Sequence, residues 1–126
     1  FVKTMLRLAE TRDEISVVSD QIGSPTNAAD LAKAILTILP KIKNKTVEVF
    51  HYSNEGVFSW YDFAKAIFEI KNINIEVNSI ESRQYPTPAK RPFYSVLNKN
   101  LIKEAYRIEN PYWKDSLVSC LKKIEL

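Results

Sequence analysis

The chain has 126 residues, of which 45% are hydrophobic and 26% charged, with a net charge of +3. That balance is ordinary for a globular protein and excludes general disorder, while the length fits one domain or a piece of a larger one. No apolar run is long enough to span a bilayer, Phe1 opens on a helical pattern instead of a signal peptide, and a lone cysteine, Cys120, cannot form an internal disulfide, which favours a reducing compartment.

Phe1, Met5 and Leu8/Ala9 recur at helical spacing and predict the end of a helix that starts upstream. With Phe1 in place of Met, the expectation is that the given sequence begins inside a longer protein. Thr11 to Glu14 is a polar turn, and the β-branched Ile15-Ser16-Val17-Val18 predicts a strand. The compact loop Asp20-Gln21-Ile22-Gly23-Ser24-Pro25-Thr26 follows, in which Ser24 or Thr26 can cap the next helix. That helix carries an apolar stripe of Ala28, Leu31, Ala32, Ile35 and Ile38/Leu39, and Pro40 stops it. Lys41 to Lys45 is a solvated basic turn.

Residues 47–52 alternate and predict a strand, with His51 expected as a packed core histidine. Ser59 with Asp62 three residues on makes a capping box, so a helix is expected over about residues 60–70 with Phe63, Ala64, Ile67 and Phe68 buried. Residues 75–80 form another alternating strand. Three of the six prolines then fall within Pro86 to Pro92, and this stiff, extended arm presents Lys90 and Arg91. Asn98 can cap a short helix with Leu101, Ile102 and Ala105, and Asn110-Pro111 is expected to open a last helix lined by Trp113, Leu117 and Leu121. The alternation of helices and strands favours an α/β fold with some parallel pairing.

Residues 1–82 hold nine Lys/Arg against eleven Asp/Glu, a net of −2, whereas residues 83–126 hold nine against four, a net of +5. The basic second part suggests an anionic partner. Nucleic acid is not expected, because the basic residues are dispersed and no nucleic-acid motif accompanies them. With only Gly23 and Gly56, glycine-rich dinucleotide and phosphate loops are excluded; one Cys and one His make a structural zinc site improbable on composition. No catalytic centre and no metal site is expected within this chain. Cys120, Trp60 and Trp113 are expected as packing residues. Two segments could line a site: Asp20-Gln21, between a strand end and a helix amino end whose free N–H groups favour an anion, and the proline arm with Arg91. A guanidinium on a stiff backbone suits a carboxylate or phosphate, because little rotamer freedom remains to be lost. A capped connection and a surface arm with solvated charges are the structural alternatives.

Three ordered motifs carry a resemblance. Asp20-Gln21-Ile22-Gly23-Ser24-Pro25-Thr26 with Asp30-Leu31-Ala32, then Ser59-Trp60-Tyr61-Asp62-Phe63-Ala64 with Ile67-Phe68, then Tyr85-Pro86-Thr87-Pro88-Ala89-Lys90-Arg91-Pro92 with Ser95, Leu97 and Asn98 resemble the corresponding segments of dTDP-4-dehydrorhamnose reductases. Pro111-Tyr112-Trp113 and the final helix resemble that family's ending. The resemblance implies the carboxyl-terminal portion of an extended short-chain dehydrogenase fold (NAD(P)-binding, Rossmann-like), a small mixed sheet with helices. Residues 1–126 would be one substrate-binding unit, an excised piece or a proteolytic remnant, with the amino-terminal Rossmann half absent. That missing half would hold NADPH and the catalytic Tyr-x-x-x-Lys pair, so the chain alone is expected to be inactive. The resemblance implies a sugar-nucleotide-binding role in reducing dTDP-4-dehydro-L-rhamnose to dTDP-L-rhamnose, in the bacterial cytoplasm. It leaves room for Mg2+ in the full-length enzyme and for a homodimer, and implies no membrane partner. Carried over, it makes Gln21 and Thr26 pocket-lining candidates and Arg91 the leading diphosphate contact, with Lys90 and Tyr85 as weaker neighbours. The alternative is a non-catalytic interaction module that keeps the same fold.

Overall fold

The computed structural model describes residues 1–43 and 45–124. Helix α1 (Val2–Ala9) leads through a polar turn into strand β1 (Glu14–Val18) and the short β2 (Ile22–Gly23). Helix α2 (Ala28–Ile38) runs into a 3-10 turn, Leu39–Lys41, that contains Pro40. Strand β3 (Phe58–Ser59), helix α3 (Trp60–Lys71) and strand β4 (Glu76–Ile80) follow; after a second 3-10 turn, Ser82–Gln84, come the proline arm, α4 (Asn100–Tyr106) and α5 (Trp113–Leu121). The α/β class holds, with both parallel and antiparallel pairing. β1 pairs with β4 in parallel, Glu14 opposite Glu76 through Val18 opposite Ile80, while β2 pairs with β3 antiparallel.

α3 is the element around which the rest packs. Its capping box forms as the sequence predicts: the Ser59 hydroxyl accepts from the Asp62 N–H at 3.1 Å, and Asp62 accepts from the Ser59 N–H at 3.0 Å. Phe63, Ala64, Ala66, Ile67 and Phe68 are buried, a face wide enough to meet α1, α5, β1, β3 and β4 together. Phe58, Phe63 and Trp113 form a ring cluster with centroids 4.6–5.7 Å apart. Burying each large apolar side chain here contributes about 1.5–3 kcal/mol before entropy is counted. The helix ends where Asn72 adopts the left-handed conformation.

Several expectations need correction. Leu6, which the predicted α1 stripe omits, is buried beside Met5, because packing against α3 draws in a wider face. Asn27, not Ser24 or Thr26, caps α2 by accepting from the Ala29 and Asp30 N–H groups. Residues 47–52 form no strand: Val47 and Val49 are 96% and 73% exposed, and no sheet neighbour lies beside them among the described residues. His51 is therefore exposed and not a core residue. The apolar stripe of α2 is likewise largely uncovered, with Ala34 its buried residue and Ile35, Leu36 and Leu39 exposed. In α4 only Ile102 of the predicted face is buried. Helix α5 starts at Trp113, because Pro111 spends its carbonyl on the Glu55 N–H at 2.9 Å instead of opening the helix. Cys120 is half-buried. Part of the predicted basic turn at 41–45, residue 44, lies outside the described residues.

Candidate functional site

The loop after β1 and the proline arm are fastened to each other at two places. At the arm's root, Asp20 accepts from the Ser82 N–H at 3.0 Å and from the Ser82 hydroxyl at 2.6 Å. The Ser82 hydroxyl, the strongest cause, and then the Ser82 N–H hold the Asp20 carboxyl below its ordinary range. Gln21 Nε2 donates to the same Ser82 hydroxyl at 2.8 Å, so its amide ties the loop to the arm. At the arm's far end, the Ile22 N–H donates to Phe93 O at 2.8 Å and the Ser95 N–H to Ile22 O at 2.9 Å. Gly23 permits that approach, since a Cβ there would stand 3.0 Å from the Ser95 hydroxyl oxygen. The segment carrying Lys90, Arg91 and Pro92 is thus strung between two anchored points.

A cleft of about 540 Å³ opens under the arm. Arg91, Tyr85 and Thr87 from the arm, Gln21 from the loop, Trp60 from the start of α3 and Arg12 from the turn before β1 stand around an apolar floor that includes Met5, Leu8, Ile15 and Val17. A recess of about 160 Å³ adjoins it, lined by Gly23, Ser24, Phe58, Pro92 and Ser95, and Gln21, Trp60 and Arg91 border both. The cleft wall includes two arginines and no carboxylate. Among the described residues neither Arg91 nor Arg12 has a hydrogen-bond or ion-pair partner. Two unpaired guanidiniums over a partly apolar floor can hold a ligand that is anionic at one end and apolar along its length.

Of the residues singled out from sequence, Gln21, Tyr85 and Arg91 stand together on this cleft. Lys90 is exposed on the arm outside its wall, and Thr26 lines a separate 90 Å³ recess with Asn54, Trp113 and Cys120. The expectation of an anion at the α2 amino end fails: Asn27 already occupies the N–H groups of Ala29 and Asp30, and the Asp30 carboxylate sits in the first turn. Trp60 and Arg12 are cleft residues that sequence reasoning missed. Trp60 packs against the core as expected but is only partly buried. The signal available was its place at the first turn of a capped helix, beside a loop flagged for other reasons.

The two glycines form no cofactor cradle, because Gly23 lies in the β2–β3 pair and Gly56 packs against Tyr112 and Trp113. Among the described residues no cluster of three or more His, Cys, Asp or Glu could hold a metal ion, and no helix is long and apolar enough to cross a membrane.

Comparison with known proteins gives a consistent picture. The family described as the RmlD substrate binding domain matches residues 1–126. The spore coat polysaccharide biosynthesis protein SpsK of Bacillus subtilis is 42% identical over 123 residues, 98% of this chain and 42% of that protein. A dTDP-4-dehydrorhamnose reductase of Aggregatibacter actinomycetemcomitans is 43% identical over 127 residues, 93% of this chain and 43% of that protein. The crystal structure of dTDP-4-dehydrorhamnose reductase from Bacillus anthracis in complex with NADP superposes with a TM-score of 0.90 at 37% identity, covering 98% of this chain and 43% of that one. The chain therefore spans well under half the length of these relatives.

Proposed function

Since the chain belongs to the RmlD substrate binding domain family, we propose that it is the sugar-nucleotide-binding part of an NADPH-dependent dTDP-4-dehydrorhamnose reductase, acting in the reduction of dTDP-4-dehydro-L-rhamnose to dTDP-L-rhamnose. The observation that carries this reading is the shared cleft: a partnerless Arg91 and the Gln21 loop face one cavity whose wall bears no carboxylate. The similarity to reductases, one of them with NADP bound, agrees with it.

In this reading residues 1–126 work as one unit, and the cofactor and catalytic groups belong to the part of the relatives' length that this chain does not span. The cofactor would supply the hydride there. The residues here bind and orient. Arg91 offers a planar fork to the diphosphate, and its anchored backbone limits the ordering cost. Tyr85 flanks it, and the apolar floor excludes water from the sugar's less polar face. Lys90 adds positive field from outside the wall.

The test is Arg91→Ala in the protein expressed from its full reading frame. A charge-assisted contact contributes about 1.5–3 kcal/mol, so KM for the sugar nucleotide should rise about ten- to a hundredfold while NADPH affinity stays constant. An unchanged KM removes Arg91 from the site. The 126-residue chain by itself should show no NADPH oxidation with the keto-sugar, and measurable turnover would contradict the division of labour.

A further inference from the structure

From residue 83 to residue 98 no residue is buried, and the first buried one after the proline arm is a lysine. Lys99 is only 7% exposed; its ammonium donates to Asn54 O at 3.3 Å and stands 3.7 Å from the Glu55 carboxylate. Stripping water from an ammonium is costly, and an apolar side chain would fill the same space without that cost. Neither partner depends on it. Lys103 stands 2.7 Å from the other Glu55 oxygen, and the Ser53 hydroxyl also donates to Asn54 O. A buried ion pair of this kind is a weak source of stability, and what it fixes is where two segments meet.

The segments that Lys99 joins are the arm and the turn behind the loop after β1. On one side, Lys99 closes the short run that follows Ser95, whose N–H bonds Ile22 O. On the other, Asn54 and Glu55 lead into Gly56, whose carbonyl accepts from the Ser24 hydroxyl at 2.6 Å. That turn is itself held from behind: the Glu55 N–H donates to Pro111 O at 2.9 Å, and the Trp113 N–H donates to Glu55 O at 3.0 Å. The downstream end of the arm is thus tied to the same firm turn that holds the loop. Lys99 does this from a distance, since it lines neither the cleft nor the adjoining recess.

Resting on the sugar-nucleotide reading, we propose that Lys99 is a positioning residue: its buried ammonium, set against Asn54 O and Glu55, fixes the separation of arm and loop and so the stance of Arg91. Without that tie the arm spends part of its time off the loop, and apparent affinity falls with the fraction correctly placed. The chemical step, which Lys99 does not touch, keeps its rate.

The test uses the protein expressed from its full reading frame and compares Lys99→Met, which fills the space without charge, Lys99→Gln, which keeps a donor for Asn54 O, and Arg91→Ala. Lys99→Met should raise KM for the sugar nucleotide about threefold or more, as when the placed fraction falls to about a third, with kcat and KM for NADPH unchanged. Lys99→Gln should raise it less. Hydrogen exchange at the Ile22 and Ser95 amides, at the junction of loop and arm, should quicken in Lys99→Met while the melting midpoint holds. KM and amide exchange equal to those of the unaltered protein, with Arg91→Ala still defective, would overturn the proposal and leave the sugar-nucleotide reading standing. A lowered melting midpoint with unchanged kinetics, or a Lys99→Met protein that does not fold, would also overturn it, since Lys99 would then serve stability alone. An unchanged KM in Arg91→Ala, with quickened exchange in Lys99→Met, would remove the sugar-nucleotide reading and support only the tie between arm and turn.

Discussion

The carboxylate of Asp20 and the backbone of Ser82 form a clamp across 62 positions of sequence: the Ser82 N–H lies 3.0 Å from each carboxylate oxygen, and the hydroxyl adds a bond of 2.6 Å. Because Ser82 opens the turn that launches the arm, this clamp sets where Tyr85 and Arg91 can stand over the cleft. The bonds favour the ionised form and hold the Asp20 carboxyl below its ordinary 3.8. With the folded value below the unfolded one, the clamp's stabilisation is complete above about pH 4 and disappears as pH falls through the folded value. Melting midpoints measured from pH 7 down to pH 2.5 should therefore fall more steeply for the unaltered protein than for Asp20→Asn. Parallel curves would show that Asp20 does not titrate against the arm.

Gly56 makes a second close approach. Its φ of +85° is a conformation that side chains disfavour, and an added Cβ would stand 2.4 Å from Tyr112 Cε2 and 2.7 Å from Trp113 Cδ1. Both obstacles are aromatic rings, and Trp113 is locked into the core cluster. Strain and clash act together, so Gly56→Ala should cost more than about 2 kcal/mol. Denaturant midpoints at constant m-value measure it, and a loss under about 0.5 kcal/mol would mean that the loop shifts freely.

What could be read from the chain beforehand was whatever rests on local physics. The Ser59–Asp62 box and the β-branched run of β1 are decided within a few residues, and they appear where the pattern puts them. The two-residue strands β2 and β3 carry no period to detect; long-range pairing creates them. Ser24 and Thr26 were the expected caps of α2, but the Ser24 hydroxyl donates to Gly56 O at 2.6 Å and Asn27 caps the helix instead. The cleft was half legible. Arg91 stood out through its stiff backbone, whereas Trp60 looked like any core aromatic until the loop and arm were folded beside it. Residues 47–52 mark the opposite case, an alternating pattern with no neighbouring strand among the described residues.

That uncovered pattern has a measurable consequence. Leu36 is 70% exposed, and Ile35 and Leu39 on the same helix end and Val47 and Val49 further along the chain are exposed as well. The 126-residue chain by itself should self-associate, with a sedimentation coefficient that rises over the micromolar range. Leu36→Lys combined with Val49→Lys should restore a concentration-independent value without lowering the melting temperature, because both side chains are exposed. A chain that stays monomeric before the substitutions would show that these residues are harmless in water.

Asn54 is fully buried, and its side chain joins three parts of the chain at once. Nδ2 donates to Asp30 Oδ2 at 2.7 Å, to the Ser116 hydroxyl at 2.9 Å and to Pro111 O at 3.2 Å, while Oδ1 accepts from the Asn27 N–H at 2.7 Å. Ser116 in turn donates to Asp30, so helices α2 and α5 meet through a polar node instead of apolar contact. Replacing the amide by an isosteric hydrocarbon leaves the Asn27 N–H and one side of Asp30 without partners, and each such buried group costs about 1–3 kcal/mol. Asn54→Leu should therefore destabilise by about 2–6 kcal/mol. By contrast, Asn98→Ala removes one exposed bond to the Asn100 N–H and should cost under about 1 kcal/mol. Equal losses for the two would mean that water reaches the node and replaces the missing bonds. The larger loss at Asn54 would identify it as the point where the loop, α2 and α5 are locked together.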